Sequence, residues 1–284
     1  MLVLACLLGY AIVAAFASPL LLSRGIWRIR FPRLALRLWL LFFASGILAL
    51  LGSLGWSIGL AVDRSGSRAG TSIWFGPTAI AIFAWVGLGI LGGVVALLVS
   101  RFEPMDAAKR RANAHLMLLE ATASYRTSAV SGIRVNYVEC AAPLAMSFAG
   151  ESGHIVVTSK LEQELTAAQL RSVLEHERAH LTHHHGLVTG LSQLNLACLP
   201  KFLGAREFER SAHLLIELIA DDCAARTCGV VDSANALVRV GKLRGSEAME
   251  LRAARLVDNA GRLPARSIRR IRSVAATTQL IAHR

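Results

Sequence analysis

The clearest chemistry in this 284-residue chain lies in five consecutive residues, His176-Glu177-Arg178-Ala179-His180. Positions four apart on a helix lie one above the other on the same face. His176 and His180 can therefore aim ring nitrogens at one ion. Glu177 stands beside them, on the metal side but outside coordination. Zinc with a carboxylate general base is the chemistry of that spacing. A catalytic zinc takes three protein ligands and keeps a position for water. Glu217, in Glu217-Leu-Ile-Ala-Asp221, is the expected third ligand. Its flanks Leu214, Leu215, Ile216, Leu218 and Ile219 predict a buried helix, where a carboxylate needs a partner. Asp221, one turn on, is expected to accept a hydrogen bond from a ligand histidine and fix its ring. His213, one turn before Glu217, is a candidate transition-state donor. His183, His184 and His185 compete for the metal, with His184 one turn past His180. Imidazoles also suit a helix end, and a further protein ligand would close the site to water. The set predicts peptide-bond hydrolysis, with Glu177 taking a proton from water and passing it to the leaving amine.

These residues need elements to hold them. Thr166-Ala-Ala-Gln169 has the pattern of a capping box, so a helix starts there, runs through the two histidines and ends by Gly186. Ahead of it, residues 133–139 alternate like a strand, and 144–148 and 154–158 read as two more around the turn 150–153. The expectation is a short antiparallel sheet, preceded by a helix over 104–125. The strand at 144–148 is a candidate sheet edge for an extended substrate. Residues 186–200 carry no charge but are short for a membrane span, so a core, re-entrant or interfacial helix is expected there. Residues 206–228 form the helix that bears Glu217. From residue 229 the composition is helical and rich in arginine (Arg252, Arg255, Arg262, Arg266, Arg269, Arg270, Arg272), which reads equally as a solvated face or a lipid-touching surface.

Hydrophobic residues make up 54% of the chain, above the roughly 45–50% of ordinary globular domains, and the excess lies before residue 101. Three transmembrane helices are expected, at about 2–22, 38–62 and 74–99. Ala15-Phe16-Ala17 has the form of a signal-peptidase site, but no basic segment precedes it and Leu20-Leu21-Leu22 continues the apolar run, so an uncleaved anchor is expected. Arg24, Arg28, Arg30, Arg33 and Arg37 crowd the first loop, and Arg101, Lys109, Arg110 and Arg111 follow the third span. By the positive-inside rule the N-terminus faces out and everything after residue 101 faces the cytoplasm. The net charge of +12 is concentrated beside apolar spans, which makes the lipid bilayer the simplest partner; no direct nucleic-acid binding is expected. Five scattered cysteines without a CxxC pair argue against a disulfide framework. The expected organisation is a membrane domain over 1–100, a zinc peptidase domain over 101–228 and a basic helical tail over 229–284.

His176-Glu-Arg-Ala-His180 followed by Glu217-Leu-Ile-Ala-Asp221-Asp222 resembles the gluzincin membrane peptidases of the BlaR/MecR type, as do Met146-Ser-Phe-Ala-Gly150 and His154-Ile-Val-Val-Thr-Ser159 before Leu165-Thr-Ala-Ala-Gln-Leu170. The same stretches, roughly residues 100–228, are similar to HtpX-type and CAAX prenyl proteases. The resemblance implies a mainly α, α+β zinc metalloendopeptidase domain behind the transmembrane helices. It implies one Zn2+ bound by His176, His180 and Glu217, with Glu177 catalytic. It also implies a cytoplasmic substrate resembling the BlaI/MecI winged-helix repressors. No penicillin-binding sensor domain follows the peptidase segment, so a beta-lactam signal is not implied. The alternatives are an HtpX-like quality-control protease, or a non-catalytic membrane scaffold or metal sensor whose site His184 closes.

Overall fold

The structure, a computed structural model, describes residues 2–66, 77–149 and 153–261. The described residues are mostly helical. Helices α1 (Leu2–Leu22), α2 (Trp27–Arg30), α3 (Pro32–Gly66) and α4 (Pro77–Ala123) lead into strands β1 (Ser124–Val130), β2 (Ile133–Val138), β3 (Ala145–Phe148) and β4 (His154–Thr158). Helices α5 (Ser159–Glu164), α6 (Ala167–Thr182), α7 (His185–Cys198), α8 (Leu203–Cys228), α9 (Val230–Arg244) and α10 (Glu247–Gly261) follow. The chain divides into two compact units, Met1–Ala112 with Val188–Leu215, and Asn113–Leu187 with Ile216–Arg284.

In the first unit, α1 and the Pro32–Ser57 part of α3 are long and apolar enough to cross a membrane. They match the first two expected spans. The third, 74–99, lies partly outside the described residues. Tyr10 Oη donates to Ser45 Oγ at 2.8 Å, a polar tie between these otherwise apolar helices.

The second unit is built on a four-stranded sheet in the order β1-β2-β4-β3. It is mixed, a correction to the antiparallel expectation: β1–β2 and β3–β4 pair antiparallel, but β2 and β4 run parallel. Central β4 is buried at every position, as a strand covered on both faces must be. The helix expected over 104–125 is the end of α4, which passes through Pro104 and stops at Ala123, so Tyr125 belongs to β1. That strand is largely exposed, and its sequence, Ser-Tyr-Arg-Thr-Ser-Ala-Val, lacks the apolar alternation of a half-buried strand. Ser131 and Gly132 close the β1–β2 hairpin with φ of 49° and 81°, the left-handed pair a two-residue turn requires.

Val135, Tyr137, Ile155 and Val157 form one face of the sheet, and Leu161, Leu165, Leu174 and Val240 cover it from α5, α6 and α9. The segment from residue 229, expected as a tail beyond the peptidase domain, thus supplies core to the unit that holds α6. Its residues 262–284 lie outside the described residues. α6 begins as expected: Thr166 accepts from Gln169 N–H, and the Gln169 side chain returns to the Thr166 N–H. It ends at Thr182, four residues before Gly186, because His184 turns the chain with a φ of 51°.

Thr166→Ala removes one half of the capping box. It should lower stability by about 1 kcal/mol, read as a reduced midpoint of thermal unfolding in detergent, with metal content unchanged.

Candidate metal centre

α6 presents two stripes. Leu170, Val173, Leu174 and Leu181 hold the helix against the sheet core. Glu177 falls on that side, close to Ser147 of β3. His176 and His180 lie on the neighbouring stripe and meet α8.

Three donors converge there. His176 Nε2 and His180 Nε2 are 3.1 Å apart. Glu217 places Oε2 3.6 Å from His176 Nε2 and Oε1 3.5 Å from His180 Nε2. All three ligand atoms lie within 4.8 Å of one another. Two donors at zinc-bond length from a tetrahedral centre sit about 3.3 Å apart, so the triangle fits a zinc ion.

Behind the donors stands a layer of fixed partners. Asp221, buried, lies 3.0 Å from His176 Nδ1, which leaves Nε2 as the ligand atom. Arg252 on α10 grips Asp221 with two bonds of 2.7 Å and reaches Glu217 Oε2 at 2.8 Å. Arg255, one turn further, pairs with Asp222 at 2.8 Å. The two arginines, read as a solvated or lipid-touching face, are therefore mostly buried in ion pairs: the carboxylates of α8 need cations, and α10 brings them. His185, buried at the start of α7, sets Nδ1 3.1 Å from His180 Nδ1. His184, the expected competitor, is exposed, and so is His213.

The electrostatics follow from this packing. Burial presses the His176 pKa down, but its bonds to Asp221 and Glu217 prevail and raise it to about 10. Burial and the neighbouring charge of His176 lower His180 to about 4. The two rings are shifted in opposite directions, and binding a metal requires both facing nitrogens to be free of protons. Burial works against the charged forms of Glu217 and Asp221, yet His176 and Arg252 hold both well below the usual carboxylate range. Burial pushes Glu177 up, which suits a group that first takes a proton and then returns it.

Sequence reasoning named His185 as a competitor for the metal and Arg252 as a surface or lipid-facing charge, and missed the contacts that both make here; it gave Ser147 no part beside Glu177. The signal for Arg252 was a pair of arginines one turn apart, 252 and 255, to answer the acids at 217, 221 and 222, legible only once α8 and α10 are known to pack.

The family model for peptidase family M48 matches residues 109–268, more than half of the chain and all of the residues around the donor triangle. No curated protein and no solved structure matches.

Arg252→Met takes from buried Asp221 both guanidinium bonds and leaves it only His176, and should cost about 3 kcal/mol of stability. Asp221→Asn combined with Arg252→Met should cost less than the two single variants added together, by about 1 kcal/mol or more. Additive losses in a double-mutant unfolding cycle would show that the pair is not coupled.

Proposed function

Because the chain belongs to peptidase family M48 and is therefore a metallopeptidase, we propose that it is a membrane-bound, zinc-dependent endopeptidase with Glu177 as its general base. The observation that carries this reading is the triangle of His176 Nε2, His180 Nε2 and the Glu217 carboxylate, with edges of 3.1, 3.5 and 3.6 Å. Zinc, when bound, supplies a Lewis acid that acidifies water and polarises the scissile carbonyl. The two imidazoles and Glu217 hold the ion, and Asp221 keeps His176 in the tautomer that frees Nε2. Glu177 removes a proton from the attacking water and delivers it to the amine that leaves.

The sheet edge offers a place for substrate. Thr158 N–H donates to the Leu144 carbonyl at 3.0 Å, which makes that pair hydrogen-bonded. Along the register, Met146 and Phe148 then point their backbone groups at β4, while Ala145 and Ser147 point theirs to the open side. A polypeptide in extended form can add there as a further strand and pass beside Glu177. We place the peptidase domain in the cytoplasm, on the strength of the basic first loop. The BlaR/MecR resemblance supports a repressor resembling BlaI/MecI as the substrate and a regulatory role for its cleavage.

The purified chain in detergent should carry about one zinc; Glu177→Gln should keep it and lose about 10²-fold or more of activity, while His176→Ala and Glu217→Ala should lose the metal. Full zinc affinity in Glu217→Ala would remove the third ligand, and a wild-type chain that binds no divalent metal would end the peptidase reading. The same zinc-loaded Glu177→Gln variant traps substrate. Enrichment of one winged-helix repressor supports the regulatory role, whereas a broad set of membrane proteins would replace it with HtpX-like quality control.

Ala145→Pro removes an N–H that β4 does not use. Cleavage should fall at least tenfold or so with zinc retained. Unchanged cleavage would move the substrate off this edge.

A further inference from the structure

α7 and the start of α8 belong to the compact unit of α1 and α3 from Val188 onward. Their contacts with those helices are specific. Phe202 sets its ring edge-on to Phe16 at 5.5 Å. Phe208 stacks on Trp39 at 5.4 Å and on Phe43 at 5.3 Å. A Cβ on Gly204 would stand 2.6 Å from the Phe202 ring and 3.2 Å from the Ala15 carbonyl oxygen, so the α8 backbone lies directly against α1.

These contacts share one level. Phe16 lies about 9 Å along the axis from Leu22, the end of α1. Trp39 and Phe43 lie about 2 and 8 Å from Leu38, where the charge-free stretch of α3 begins. Both distances run inward from the ends that the arginine-rich first loop joins. At that level α1 exposes Leu20 and Leu21 by 53% and 62%, and α3 exposes Leu41 by 63%. The α7–α8 turn exposes Leu199 by 49% and Leu203 by 63%, and Lys201 and Arg206 are exposed as well, with Arg206 Nε donating to the Pro200 carbonyl at 2.8 Å.

We propose that the turn between α7 and α8 is a lipid-inserted hairpin that dips into the same leaflet α1 and α3 enter at their basic ends. Leu199 and Leu203 meet acyl chains, and Lys201 and Arg206 reach headgroup phosphates, with the long stems of both side chains spanning the boundary. α7, of 14 residues and about 21 Å, is too short to cross the bilayer, so the hairpin enters and returns on one side. The occupant is lipid rather than a soluble partner because the turn is seated on the flanks of helices that themselves enter the bilayer. The proposal rests on α1 and α3 being membrane spans.

The test uses the unmodified full-length chain in vesicles of phosphatidylcholine and phosphatidylglycerol. A carbene-generating aryl diazirine confined to the acyl region is photolysed, and label is mapped by mass spectrometry. Label at 199–203 should match that on Leu41 and Leu48 of α3 and exceed that on Val231, Leu251 and Val257 by about tenfold. Those three controls are exposed by 72%, 73% and 54%, so exposure alone predicts comparable labelling. Label on α1 and α3 without label at 199–203 overturns the hairpin and leaves the spans intact. Equal label on the three controls also overturns it. An unlabelled α1 and α3 would remove the membrane reading and the hairpin together.

Discussion

A carboxylate taken out of water must be paired or protonated, and α8 carries Glu217, Asp221 and Asp222 within two turns of a largely apolar helix. The second compact unit is arranged around that demand. His176 and His180 approach from α6, and Arg252 and Arg255 approach from α10. The contacts form one chain of hydrogen bonds: the Arg252 fork fixes Asp221, Asp221 fixes the His176 ring, and the ring presents Nε2 to the donor triangle. A site held this way is preorganised, because each donor has a partner that would be stranded if it turned away. This is also why residues 230–261 are not a tail. Without α9 the sheet core loses Val240, and without α10 the acids of α8 lose their cations.

The sheet serves the same centre by register. Ser147 pairs with Ile155 and so shares the face that α6 covers, which is how it reaches Glu177. A slip of one residue would turn it to the other face. That other face is partly polar: Asn136 hydrogen-bonds to Glu120 at the end of α4, and His154 Nε2 lies 3.1 Å from the same carboxylate. Phe148 stacks on His154 at 5.2 Å and shields the pair. Both faces of β4 are thus occupied, which leaves β3 as the edge near Glu177.

What was legible in the sequence was local. The capping box at Thr166, the histidines four apart, and the apolar run of β4 each depend on residues within a few positions of one another, and each reads directly from the chain. Asp221 as the partner of a ligand histidine was also readable, since it needs only one turn of α8. The rest depends on contacts between distant segments. β1 is exposed, so burial imposed no apolar alternation on it, and the parallel pairing of β2 with β4 is set by the crossover through β3. Arg252 and Arg255 looked like surface charge because their partners lie some thirty residues earlier. His185 rather than His184 faces His180 because His184 adopts a left-handed φ, a property that no helical wheel displays.

The two histidines of the donor triangle are not equivalent, and the difference comes from what stands behind each ring. His176 has a carboxylate on Nδ1, and His180 has an imidazole. A carboxylate partner makes the first ring the more basic donor and anchors it electrostatically. The imidazole of His185, itself lowered to about 3 by burial and by its histidine neighbours, is neutral and fixes direction without adding charge. Were both rings backed by carboxylates, the cluster would hold one further buried anion, which would need a cation of its own. With one of each, Arg252 and the His176 ring stand against the carboxylates of Glu217 and Asp221, and the partner of His180 adds no buried anion.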